Sequence, residues 1–139
     1  MSSRSVTRAK NAASLKRFSA GLEDMRQTVR EDFDKQFRKQ AITIYGGLVL
    51  TTPVDTGFAR GRWGVGVNNG PLSSESGLDP SGQGAIARGR LAIAAAPEFS
   101  RLELGNDASY IIPLDNGFSP QRRSGIVDPV LRQAALRFR

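Results

Sequence analysis

The chain has 139 residues, 39% of them apolar and 24% charged, with a net charge of +7. That length suits one domain with a small core, read here as a single domain over 1–139. It contains no cysteine and no histidine, which excludes disulfides, thiolate metal sites and any Ser-His-Asp or Cys-His catalytic arrangement. Its positive charge favours polyanionic partners or surfaces and sits at both ends. Residues 1–40 interleave ten basic with five acidic side chains, and the last eighteen residues hold five arginines against Asp128 alone.

The opening "MSSRSVTRAKNAASLKRFS" is basic and polar with no apolar stretch, so it is not expected to act as a secretory signal. Residues 1–11 are read as a flexible basic tail. From 12 to 50 the apolar residues Leu15, Phe18, Leu22, Met25, Val29, Phe33 and Phe37 recur at steps of three and four, one stripe of a long helix. Such a helix would be about 57 Å long at about 1.5 Å per residue, longer than a small domain is wide. Its stripe then needs a neighbour, and Phe33 and Phe37 are the candidates for a subunit contact; packing within the same chain is the alternative. Gly21 and Gly46-Gly47 are points where the helix can bend, with a hairpin near Gly21 as the other reading. Pro53 ends it.

Residues 51–139 are read as an α+β body. "VDTGFARGR" gives a turn and a short helix, and "WGVGVN" alternates Trp63, Val65 and Val67 with glycines, as a strand with one apolar face. The glycine face lets another backbone approach closely. Residues 70–84, dense in Gly, Ser and Pro, form a mobile loop. "AIARGRLAIAAAP" reads as a helix stopped by Pro97, and "RLELGND" as a strand and turn. "SYIIPLDNGFSP" starts strand-like, breaks at Pro113 and turns at Asp115-Asn116-Gly117. "SGIVDPVLRQAALRFR" closes with a helix, Asp128 as N-cap and Pro129 at the first helical position, with Val130, Leu131, Ala134 and Leu136 or Phe138 facing inward. The longest apolar runs, "IYGGLVL" and "LAIAAAP", are far short of a membrane span, so no membrane partner is expected. The fold class is α+β: a long N-terminal helix, a small antiparallel or mixed sheet and short helices, one of them C-terminal.

Asp55-Thr56-Gly57 spells the D-T-G of an aspartic protease half-site. Such a site needs two carboxylates sharing a proton among apolar strands. Here Arg60 and Arg62 follow within seven residues, and positive charge works against a shared proton. The alternative is structural. Asp55 caps a short helix, Gly57 allows the tight backbone and Phe58 seats that helix on the core. No catalytic residue, metal site or cofactor is expected on this reading.

The block "TPVDTGFARGRW" after a long helix resembles the "TPVDTG-x-x-R-x-x-W" segment of the tail-component family of tailed bacteriophages, described as tail-completion or head–tail joining (neck) proteins. "NDASYIIPLDNGFSPQ" resembles that family's second signature, and "GIVDPVLRQA" its closing helix. The likeness spans 42–135 in three blocks. Pro53, Asp55, Thr56, Gly57, Arg60 and Trp63 match the first block; Tyr110, Asp115 and Gly117 match the second. The resemblance implies an α+β subunit without chemistry that forms a homo-oligomeric ring at the head–tail junction. It would contact connector or tail-tube proteins, residing in the host cytoplasm and then in the virion. DNA passes through such a neck, with non-specific contact at most. Arg60 and Arg62 then line a lumen or pair with a neighbour, the alternative being a solvated turn. Trp63 anchors an interface or fills the core, and Arg137 and Arg139 touch DNA or an acidic ring or form a polar tail. The rival function is a small basic nucleic-acid-binding protein, resting on the charge and the basic ends.

Overall fold

A computed structural model of the chain describes residues 3–75, 77–117 and 119–138. The elements are α1 (Ser3–Thr51), α2 (Phe58–Gly61), β1 (Trp63–Val67), α3 (Gln83–Ala95), β2 (Leu102–Asn106), α4 (Ile111–Asp115) and α5 (Val127–Arg137). The fold is α+β and mostly helical, with a long N-terminal helix, one two-stranded antiparallel sheet, short helices and a C-terminal helix. Two compact units divide the chain, Met1–Gln36 and Phe37–Arg139, the division falling inside α1. No helix among the described residues is long and apolar enough to cross a membrane.

In the first unit α1 is already helical at Ser3, where the sequence suggested a tail to residue 11. Thr7 donates to the Ser3 carbonyl at 3.0 Å, and no glycine or proline interrupts the run before Gly21. Gly21 itself lies within the helix, so no hairpin forms there. The stripe is exposed: Leu15, Phe18, Leu22, Met25, Val29 and Phe33 all keep half or more of their surface open.

The second unit holds the core. Tyr45, Leu48 and Val49 of α1 meet Trp63 and Val65 of β1, Ala85 and Ile93 of α3, and Ile126 and Val130 near and on α5. β1 pairs with β2 from Trp63 opposite Asn106 to Val67 opposite Leu102. The glycine face of β1 receives the 70–75 segment. A Cβ on Gly64 would lie 2.6 Å from the Ser74 nitrogen, and one on Gly66 would lie 2.9 Å from the Gly70 carbonyl oxygen. Val65 donates to Ser73 Oγ at 3.0 Å and accepts from the Ser73 amide at 3.1 Å. Arg88 donates to the carbonyls of Ser73 and Gly61 at 3.0 and 2.7 Å, which joins the 70–75 segment to α3 at Ser73.

Three local expectations differ from the structure. Within "SYIIPLD" the residues Ile111–Asp115 form the short helix α4, not a strand. Pro113 is its third residue, in the first turn, where a missing N–H costs no helical bond. Asp128 lies inside the first turn of α5 and does not cap it; Asp115 does, accepting from the amides of Ile126 and Val127 at 3.0 and 2.9 Å. On α5 only Val130 is buried, while Leu131 and Leu136 are exposed.

Tyr45 and Gly89 fit as key and slot. The phenol is fully buried and donates to the Ala85 carbonyl at 2.6 Å. A Cβ on Gly89 would stand 2.0 Å from the Tyr45 ring. Gly89→Ala therefore overpacks the core and should lower the unfolding free energy by about 1–3 kcal/mol, read by urea denaturation. Burial pushes the Tyr45 phenol up to about 12, with Arg88 acting against the rise and Asp79 adding to it. The folded state thus favours the neutral phenol. Its contribution to stability is whole below the ordinary tyrosine value of about 10 and is lost as pH rises through about 12. Unfolding free energies measured across that window should fall in the parent chain more steeply than in Tyr45→Phe.

Candidate functional site

The D-T-G block lies where α1 ends and β1 begins. α1 must stop because Pro53 disfavours helical geometry at Thr52, leaving carbonyls at its end with no helical donor. Arg60, carried back by α2, supplies the donors. Its Nε and Nη2 reach the Thr52 carbonyl at 3.2 and 2.8 Å, Nη2 also reaches that of Leu50 at 3.1 Å, and Nη1 reaches that of Pro80 at 2.9 Å. Burial pulls the guanidinium below its ordinary value, and the Asp79 carboxylate acts the other way.

Thr52 is fully buried and works twice. Its hydroxyl donates to the Leu48 carbonyl at 2.7 Å and accepts from Trp63 Nε1 at 2.6 Å. The indole N–H thus has its acceptor, and Trp63 is a core residue, 4% exposed. Gly57 is the hinge of the turn. Its φ of 86° is the left-handed region that favours glycine, its carbonyl accepts from the amides of Gly61 and Asp79, and a Cβ there would lie 2.4 Å from the Pro80 nitrogen.

Asp55 is a correction to the expected helix cap. The N-cap of α2 is Gly57, without a side-chain hydrogen bond. Asp55 and Thr56 are exposed. Among the described residues the Asp55 carboxylate has no hydrogen bond or ion pair, while Thr56 Oγ1 accepts from the Phe58 amide at 3.4 Å. The helix starts two residues later than a cap at Asp55 requires, because the left-handed Gly57 resets the chain direction first.

The second block folds against the first. Asn106, at the end of β2, donates to the Ala59 carbonyl at 2.7 Å and accepts from the Ala108 amide at 2.9 Å. Arg62 forks onto Asp107 at 2.6 and 2.7 Å, and its guanidinium lies 5.8 Å from the Phe58 ring centre. Burial works to raise the Asp107 carboxyl, but hydrogen bonds from Arg62 and Ser74 outweigh it and hold the group below its ordinary value. Tyr110 lies 6.0 Å from Phe58, ring centre to ring centre. The Gln121 amide both donates to and accepts from the Val54 backbone, at 3.0 and 3.1 Å. Gly117, at φ 85°, turns the chain where a Cβ would stand 2.2 Å from the Arg123 carbonyl oxygen. Asp115 then hands the third block its cap. The three blocks are contiguous in space.

Arg60 and Arg62, offered for a lumen or a neighbour, are engaged within their own chain. Arg137 is exposed, Phe37 is half-buried, and Arg139 lies outside the described residues. Sequence reading missed Arg38, which takes the carbonyls of Ile93, Ala94 and Ala96 at the end of α3. It also missed Asp79, which accepts from the Ala85 amide at 2.9 Å at the start of that helix. The "DPSG" run before α3 is a local capping signal for Asp79; nothing near Arg38 in sequence points to α3.

The second unit has several open surfaces. A recess of about 340 Å³ is lined by Asp55, Thr56, Phe58, Tyr110 and Gln121. A larger groove of about 740 Å³ lies among α1, α3 and α5. Among the described residues no group of three or more His, Cys, Asp or Glu side chains is placed to hold a metal ion.

Thr52→Val leaves the Trp63 N–H buried without an acceptor and should cost about 1–3 kcal/mol. Asp55→Asn, at an exposed and unbonded position, should stay within about 0.5 kcal/mol of the parent. Denaturant midpoints of the two variants check the contrast. Comparison of the chain with family models, with curated proteins and with solved structures gives no match.

Proposed function

We propose that the chain is a structural subunit of a tailed phage: a neck or tail-completion protein that assembles as a homo-oligomeric ring at the head–tail junction. One observation carries the reading. The side chains of the three blocks that resemble that family meet in one place and mostly hold the fold together, as Thr52, Arg60 and Trp63 do. Large apolar side chains stand outside instead, among them Phe18, Met25 and Val29 on α1 and Leu91 and Ile112 in the second unit. Apolar surface of that kind favours association. On this reading the D-T-G turn is a joint between a long helix and a sheet, and Asp55 performs no chemistry.

A second reading has its own support. Between Ser3 and Leu22 the helix carries Arg4, Arg8, Lys10, Lys16 and Arg17 and no acidic residue, a density suited to a phosphate backbone. It makes the chain a small basic nucleic-acid-binding protein.

Mass measurement separates the two. The ring reading expects a defined oligomer, formed alone or on mixing with connector and tail-tube proteins, and many copies in purified particles. Absence from particles, or a monomer that persists beside capsid and tail components, would overturn it. Tight duplex binding by the isolated chain that collapses between low and moderate salt would favour the second reading.

A further inference from the structure

The second unit holds an apolar groove of about 740 Å³ among α1, α3 and α5. The groove is lined by Leu50 of α1, Ile86 of α3, and Val130 and Leu136 of α5, and the charged side chains on it are Arg90 and Arg137. Leu50 and Leu136 keep more than half of their surface open. Gly46 also lines it, and a Cβ there would meet nothing within 4 Å, so the α1 wall of the groove has a notch. An apolar trough among three helices is the form of site that receives an amphipathic helix by anchors spaced three and four residues apart.

The chain itself carries such a helix. Phe18, Leu22, Met25 and Val29 stand at steps of four, three and four, all exposed. Charge selects which part of the stripe fits. The acidic residues of the first forty positions, Glu23, Asp24, Glu31, Asp32 and Asp34, all lie within twelve residues beside Met25 and Val29. Asp32 falls three residues after Val29, one helical turn along the same side. The groove presents arginine, and the stretch between Leu22 and Phe33 carries four carboxylates against Arg26 and Arg30, the first of which pairs with Glu23 at 3.6 Å, so its net charge is negative.

We infer that the 22–33 stretch of α1 in one copy docks in the α1–α3–α5 groove of another copy, with Asp32 facing Arg90 and Arg137. The partner is thus a second copy of this chain. Stripe and groove are different surfaces, so the contact is head-to-tail: each copy gives one helix and receives one. Such a contact closes as a ring or continues as a filament. This deepens the assembly reading above and rests on it.

The absence of cysteine makes the test direct. One chain carries Val29→Cys, another Leu136→Cys, and a short bis-maleimide is added to each alone and to the mixture. The mixture should give a cross-linked pair, and neither chain alone should do so. Asp32→Arg in the Val29→Cys chain should lower the yield about tenfold, and Arg137→Asp in the other chain should restore it. Gly46→Phe fills the notch at an open helix position. That chain should keep its helical content and lose both the cross-link and the oligomer. Val29→Cys chains that cross-link with one another would overturn the docking in favour of stripe against stripe. An oligomer that survives Gly46→Phe and gives no mixed cross-link would overturn the docking and leave the assembly reading standing. A chain that stays monomeric with connector and tail proteins present, with no cross-link, would overturn both.

Discussion

The structure depends on how its helix ends are closed. Every α-helix leaves carbonyls bare at one end and amides at the other, and here charged side chains cover several of them, Arg38 from 55 or more residues away and the others from nearer in the chain. Arg60 takes the last carbonyls of α1, and Arg38 takes those of α3. Asp79 caps the start of α3, and Asp115 the start of α5. Each pairing also matches the sign of the helix dipole, arginine at the negative end and aspartate at the positive end. Three of the four also join elements, Arg60 tying α2 to the end of α1. Arg38 binds α1 to α3, and Asp115 binds α4 to α5.

That arrangement explains what could be read in the sequence and what could not. Periodicity depends on neighbouring residues, so the long helix, the strand Trp63–Val67 and the helix over "AIARGRLAIAA" were all legible. The glycine face of β1 was legible too, since alternation of glycine with large residues leaves one side of a strand bare, and the 70–75 segment fills it. Caps were not. A local rule places Asp55 before α2 and Asp128 before α5, yet the N-cap position of α2 falls on Gly57, and α5 is closed by Asp115, eleven residues before Ile126. "SYII" failed for a related reason. Its β-branched residues favour a strand, but Pro113 suits a first helical turn.

The +7 charge takes on a different meaning once partners are known. In the second unit Arg38, Arg60, Arg62, Arg88 and Arg122 all donate to carbonyl or carboxylate oxygens of the chain. Arginine suits this work because its planar fork reaches several acceptors at once, which lysine cannot do. Much of the positive charge is therefore internal scaffolding. The basic run of the first unit is of another kind, since it stands on an exposed helix with no carboxylate before Glu23.

The seat of segment 70–75 on β1 has a consequence for self-recognition. A two-stranded sheet ordinarily offers two open flanks, each a template onto which a foreign strand can zip. Ser73 already satisfies both backbone groups of Val65 at the middle of one flank. Only the β2 side remains for strand addition, so runaway stacking of copies through their sheets is blocked in one direction by the chain's own backbone.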